Sequence, residues 1–104
     1  MKLVYRPLYL ADVTECADYL FTEAGEPVAR AWYQALKDAL VNLRQNPELG
    51  RLRHDLPIPG IRSLNLRKYP NYLIFYRVEK TTIELLRLRH GMMHLPGLFS
   101  ETGV

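Results

Sequence analysis

Three runs of strand character, crowded into the second half of the chain, constrain the fold more than any other feature: Ile61 to Lys68, Tyr72 to Glu79 and Thr82 to Arg89. Each is rich in β-branched, aromatic and aliphatic residues, and only the turn segments "YPN" and "KT" separate them. Connections that short join antiparallel neighbours, so the three runs predict a meander. The middle run, "YLIFYRV", is apolar on both faces and belongs at the centre of a sheet, covered by helices on one side and at least partly shielded on the other.

The first half supplies the cover. "KLVYR", Lys2 to Arg6, alternates and reads as a first strand, which Pro7 ends by removing a ladder donor. From Leu8 to Glu23, Leu10, Val13, Ala17 and Leu20 recur at helical spacing, with Phe21 beside them. Gly25 breaks that helix, and Pro27 suits the start of another. From Pro27 to Gln45 the residues Val28, Trp32, Ala35, Leu36, Ala39, Leu40 and Leu43 form a continuous stripe of period 3.6, stopped by "NPELG". "RLRHDLPIPG", Arg51 to Gly60, has two prolines and no periodicity, so it reads as a surface loop with solvated basic residues. The expected architecture is α+β: a two-layer domain of N-terminal strand, helical hairpin and three-stranded antiparallel meander (β-α-α-β-β-β). At 104 residues, 48% of them hydrophobic, one domain over 1–104 is expected, with 92–104 as a C-terminal tail.

Charge is unevenly spread. Residues 1–50 carry 5 Lys+Arg against 7 Asp+Glu, and residues 51–104 carry 9 against 4. A basic half attracts anionic partners, whether phosphate backbones or acidic peptide segments. The single Cys16 forms no internal disulfide, and no leader or apolar run of roughly 20 residues is visible, so a soluble, cytoplasmic protein without membrane association is expected.

The ordered set "NPELGR", "GIRSL", "YLIFYRVE" and "IELLRLRHG" resembles the RelE/ParE toxin superfamily of bacterial type II toxin–antitoxin systems, nearest to its ParE branch, over Val4 to His94. The resemblance implies a growth-inhibiting toxin of a plasmid-stabilisation type of system, bound by a cognate antitoxin that wraps around it, alone or in a homo- or hetero-oligomer. In the ParE branch the implied target is DNA gyrase, blocked by protein binding. In the RelE branch the toxin is a metal-independent endoribonuclease that cuts messenger RNA in the ribosome, and an inactive antitoxin-binding homologue is a third possibility. The ParE ending usually runs through histidine and glycine to arginine and aspartate. Here "HGMMHL" keeps His90 and Gly91 and puts Met93 and His94 in place of that pair.

RNA cleavage needs an acid, a base and cations for the phosphate. Arg62, Arg87, His90 and His94 are the candidates for it, although no tyrosine follows the last strand. For partner or target contact the candidates are Arg62, Arg67, Arg77, Arg87, Arg89, His90, Met92 and Met93. Arg62 either meets a target or pairs with Glu79 or Glu84, carboxylates with no evident partner. Arg77 must reach solvent or a partner, because a buried unpaired cation is costly. Arg87 and Arg89 share a side of their strand with Ile83 and Leu85 and read as solvated or partner-binding. His90 and His94 lie four apart, but Gly91 and Pro96 oppose a regular helix there, so neither metal nor cofactor is expected. Met92, Met93, Leu95, Leu98 and Phe99 make an apolar tail, and Trp32 with Tyr33 reads as helix core and rim.

Overall fold

The computed structural model describes residues 1–90. Its elements are β1 (Lys2–Tyr5), α1 (Pro7–Ala24), α2 (Glu26–Gln45), β2 (Arg51–Leu52), β3 (Ile61–Asn65), β4 (Tyr72–Glu79) and β5 (Thr82–His90). The strand, hairpin and meander expected from the sequence are all present. Pro7 stands in the first turn of α1, and Gly25 separates the helices at a φ of 92°, which costs glycine little because it has no Cβ.

Two features of the sheet go beyond the expectation. β2 adds a two-residue edge strand inside the supposed loop, giving five strands in the order β1-β5-β4-β3-β2. β1 does not join the meander at its near end but crosses to β5, with which it pairs in parallel from Lys2↔Thr82 to Tyr5↔Leu85. The long connection that a parallel pair requires is made in two stages: the helical hairpin carries the chain to β2 at the far edge, and the meander returns it to β5.

α2 presents Trp32, Leu36, Leu40 and Leu43 to the sheet, where they meet Ile74, Tyr76, Ile83, Leu85 and Leu88. Burying each such side chain contributes roughly 1.5–3 kcal/mol, and this layer is the main core. α1 is rotated from the anticipated stripe. Tyr9 is its buried anchor, with Val13, Cys16, Ala17 and Leu20 packed beside it, whereas Leu10 is 51% exposed and Phe21 57%. The opposite sheet face has a smaller core of Leu56, Ile61, Leu73, Phe75 and Leu86. Leu56 and Ile58 come from the segment read as a surface loop, which is therefore the shield over the second face of β4.

A β-bulge sets which side chains share a face. Tyr76 pairs with Leu85 but Phe75 pairs with Arg87, so Leu86 is an extra residue in β5. Leu85 then enters the main core and Leu86 the smaller one. Beyond the bulge the alternation is inverted. Arg87 and Arg89 stand opposite Phe75 and Leu73, on the face away from Ile83 and Leu85, contrary to strict alternation from Ile83.

Candidate functional site: a sheet of ion-paired arginines

Asp12 organises one end of the sheet. β1 stops at Tyr5, the Arg6 amide still donates to the Leu85 carbonyl at 3.1 Å, and the chain then turns into α1. One α1 residue, Asp12, replaces the missing strand: its Oδ2 accepts the Leu88 N–H at 3.0 Å. The same carboxylate takes Arg87 in a fork, Nε to Oδ2 at 2.7 Å and Nη2 to Oδ1 at 3.1 Å, and Arg89 Nη1 to Oδ1 at 3.0 Å. Asp12 is 4% exposed, and the Arg87 and Arg89 side chains are 12% and 14% exposed. They are neither solvated edge cations nor an open basic patch. A charge-assisted fork of this geometry is among the stronger protein hydrogen bonds.

Glu84 organises the other end. Its Oε2 accepts Arg6 Nη1 at 3.1 Å, and its Oε1 accepts Arg77 Nη2 at 3.1 Å. Arg77 Nε also lies 3.3 Å from Glu79 Oε1. The carboxylates that seemed partnerless in sequence are thus the counter-ions of Arg77, whose partner is internal. Arg53, expected in solvent, is 8% exposed; it forks onto Asp55 at 2.9 and 2.7 Å, reaches Ser63 Oγ at 3.1 Å and lies 5.8 Å from the Phe75 ring centroid. That pairing holds the exposed Asp55 carboxyl down to a pKa of about 2.

Arg62 takes neither Glu79 nor Glu84. Its Nη1 donates to the Gly50 carbonyl at 2.8 Å and to that of Glu48 at 3.4 Å. Tyr76 grips the same turn, its hydroxyl donating to Pro47 O at 2.8 Å and accepting from the Gly50 amide at 2.7 Å. A groove of about 620 Å³, lined by Asn46, Leu49, Arg62 and Val78 among others, opens beside this clamp.

His90 ends β5 edge-on to the Tyr72 ring, 5.3 Å between centroids, and Tyr72 stands similarly on Trp32 at 5.5 Å. Tyr72, His90 and Arg89 line a second groove with Glu15, Cys16 and Tyr19. Burial, with the negative charge of Asp12 as the next cause, raises the Cys16 thiol to about 11, so it is a weak nucleophile at neutral pH. Arg67 is exposed in the segment between β3 and β4. Met92, Met93 and His94 lie outside the described residues. Among the described residues no three His, Cys, Asp or Glu side chains could hold a metal, and no helix is long and apolar enough to cross a membrane.

The buried protonated groups predict alkaline lability. Burial raises the Cys16 thiol and, well above the ordinary phenol range, Tyr9; Tyr72 and Tyr76 are raised by the same cause. The folded state holds these protons more tightly than the unfolded chain, which ionises first, so stability is full below the unfolded values and lost above them. The thiol contribution should fade between pH 9.0 and about 11, and that of the phenols above pH 10.0. Melting temperatures across this range, with Cys16→Ser removing the earliest part of the decline, check it.

Asp12 escapes sequence inspection because an acidic residue on a helix reads as solvated. The available signal is its position: Asp12 lies three residues after Tyr9 and four before Cys16, on the inward side of α1.

The element order and the arginine-bearing meander are those of the RelE/ParE toxin superfamily. Within it, the chain belongs to the ParE toxins of type II toxin–antitoxin systems, parDE, whose family model matches residues 3–95. Among solved structures, a chain from the "Chromosomal ParDE TA system from P. aeruginosa" has the same fold, with a TM-score of 0.73 and 24% identity over 86% of this chain and 95% of that one. No curated protein matches.

Proposed function

We propose that this ParE-family toxin acts in the cytoplasm by protein binding, inhibiting DNA gyrase without catalysis, and that a cognate antitoxin neutralises it. The observation that carries the reading is the internal neutralisation of the sheet arginines. A ribonuclease must aim cations at a phosphate, next to an acid and a base. Arg87 and Arg89 are instead committed to Asp12, and Arg77 to Glu84. Turning Arg87 and Arg89 outward would leave Asp12 buried and unpaired, a cost of about 3–5 kcal/mol. Arg62 holds a loop. With their charges spent inside the fold, these arginines brace the sheet rather than a phosphate, which favours action by protein binding.

The test sets two assays side by side with purified protein: supercoiling by gyrase, and cleavage of ribosome-bound messenger RNA. Supercoiling should fall with toxin concentration, messenger should stay intact, and the cognate antitoxin should restore supercoiling. Cleavage without inhibition would replace this reading with the endoribonuclease, and loss of both activities with antitoxin binding retained would identify an inactive homologue.

A further inference from the structure

The candidate arginines on β4 and β5 face inward to carboxylates; the cations after β3 do not. Arg67 and Lys68 are exposed in the turn between β3 and β4, and among the described residues neither side chain has a hydrogen bond or ion pair. They stand on the rim of a groove of about 840 Å³ between that turn and α2, with Tyr69 at its edge. Ala31, Ala35 and Ala39, one helical turn apart along α2, line it together with the amide side chains of Gln34 and Asn42. Among the described residues that line it the one carboxylate is Asp38, which already accepts the Gln34 amide at 2.9 Å.

We infer that this groove is a docking site for an acidic peptide segment of a protein partner. Short alanine side chains let a backbone come close to α2, side-chain amides match peptide donors and acceptors, and Arg67 and Lys68 complement carboxylates at the rim. A nucleic acid fits less well. Two cations are few against the roughly 6–10 phosphate contacts that make such binding strong, and Tyr69, half-buried against the core, is not a free stacking platform. The site is separate from the ion-paired sheet arginines and does not depend on gyrase being the target.

The test is a titration of isotope-labelled full-length protein, followed by amide shifts, with a synthetic Glu-Ala-Leu repeat peptide and, separately, with oligouridylate of equal charge. Saturable shifts confined to Arg67, Lys68, Tyr69 and the Gln34 to Asn42 stretch of α2 are expected from the peptide. The double variant Arg67→Glu/Lys68→Glu should weaken it at least about tenfold, while Lys80→Glu, the same kind of charge reversal at an exposed turn elsewhere, should leave it unchanged. Both variants alter exposed side chains, and an unchanged melting temperature confirms the fold. Absence of saturable shifts, shifts centred on the sheet arginines, equal weakening by Lys80→Glu, or tighter binding of oligouridylate in the groove would each overturn the proposal. Neither gyrase nor ribosomes enter the measurement, so its failure is distinguishable from failure of the functional reading.

Discussion

Asp12→Ala is expected to lower the unfolding free energy by about 3–5 kcal/mol, the cost of removing one partner from a buried ion pair and leaving the other uncompensated. The carboxylate serves two guanidinium groups and one backbone amide, and all three lose their acceptor together. A small domain has about 5–15 kcal/mol in all, so the variant should be close to unfolding at growth temperature. Asp12→Asn keeps an oxygen for the Leu88 amide and should recover part of the loss, though its NH₂ then faces donors. Urea denaturation of the three proteins measures the series. A loss under about 1 kcal/mol for Asp12→Ala would mean that Arg87 and Arg89 find other acceptors, and the latch between α1 and β5 would be discarded.

Gly50→Ala should be the second most damaging single change, at about 1–3 kcal/mol or more. A Cβ at Gly50 would stand 2.7 Å from Tyr76 Cε1 and from its hydroxyl, and 2.8 Å from the Ser63 carbonyl. The tyrosine is buried in the main core and the carbonyl is sheet backbone, so neither gives way cheaply. Relief requires the turn to move, which breaks the Gly50 hydrogen bonds to Tyr76 and Arg62. Gly60→Ala is a useful contrast: its φ of 86° is strained for alanine, but among the described residues beyond its chain neighbours the nearest atom to the new Cβ is Arg77 Cδ at 4.0 Å. Melting temperatures and urea midpoints should separate a steric penalty at Gly50 from a backbone penalty at Gly60. If Gly50→Ala melts like the parent, the clamp at Pro47 to Gly50 is looser than its distances imply.

Much of the fold was legible because it rests on local chemistry. The β4 stretch from Tyr72 to Glu79 has no polar face, which demands a central strand, and the α2 stripe from Trp32 to Leu43 has the helical period that covers one. The α1 face was misjudged because Tyr9 and Leu10 are both apolar and adjacent; packing against β5 buries Tyr9 and leaves Leu10 outside. β2 was invisible because two residues carry no periodicity, and their pairing with Arg62 and Ser63 is a long-range event.

The site was less legible than the fold. Its arginines were visible as residues, but their meaning depends on who faces them. Arg87 and Asp12 are 75 residues apart, and nothing local to either names the other. The bulge at Leu86 compounds this, since one inserted residue inverts the side of every later side chain.

The sequence by itself determined the class of fold and the strand–hairpin–meander order, because hydrophobic periodicity and short connections are properties of neighbouring residues, and its ordered motifs carried the resemblance to a toxin family. Only the tertiary structure decided that β1 crosses to pair with β5, that the Arg51 to Gly60 segment shields the second sheet face, and that Arg77, Arg87 and Arg89 are spent on internal carboxylates while Arg67 and Lys68 remain outward. The reason is physical: a buried charge is stable only beside its counter-ion, and which carboxylate comes within reach is fixed by the packing of elements far apart in the chain.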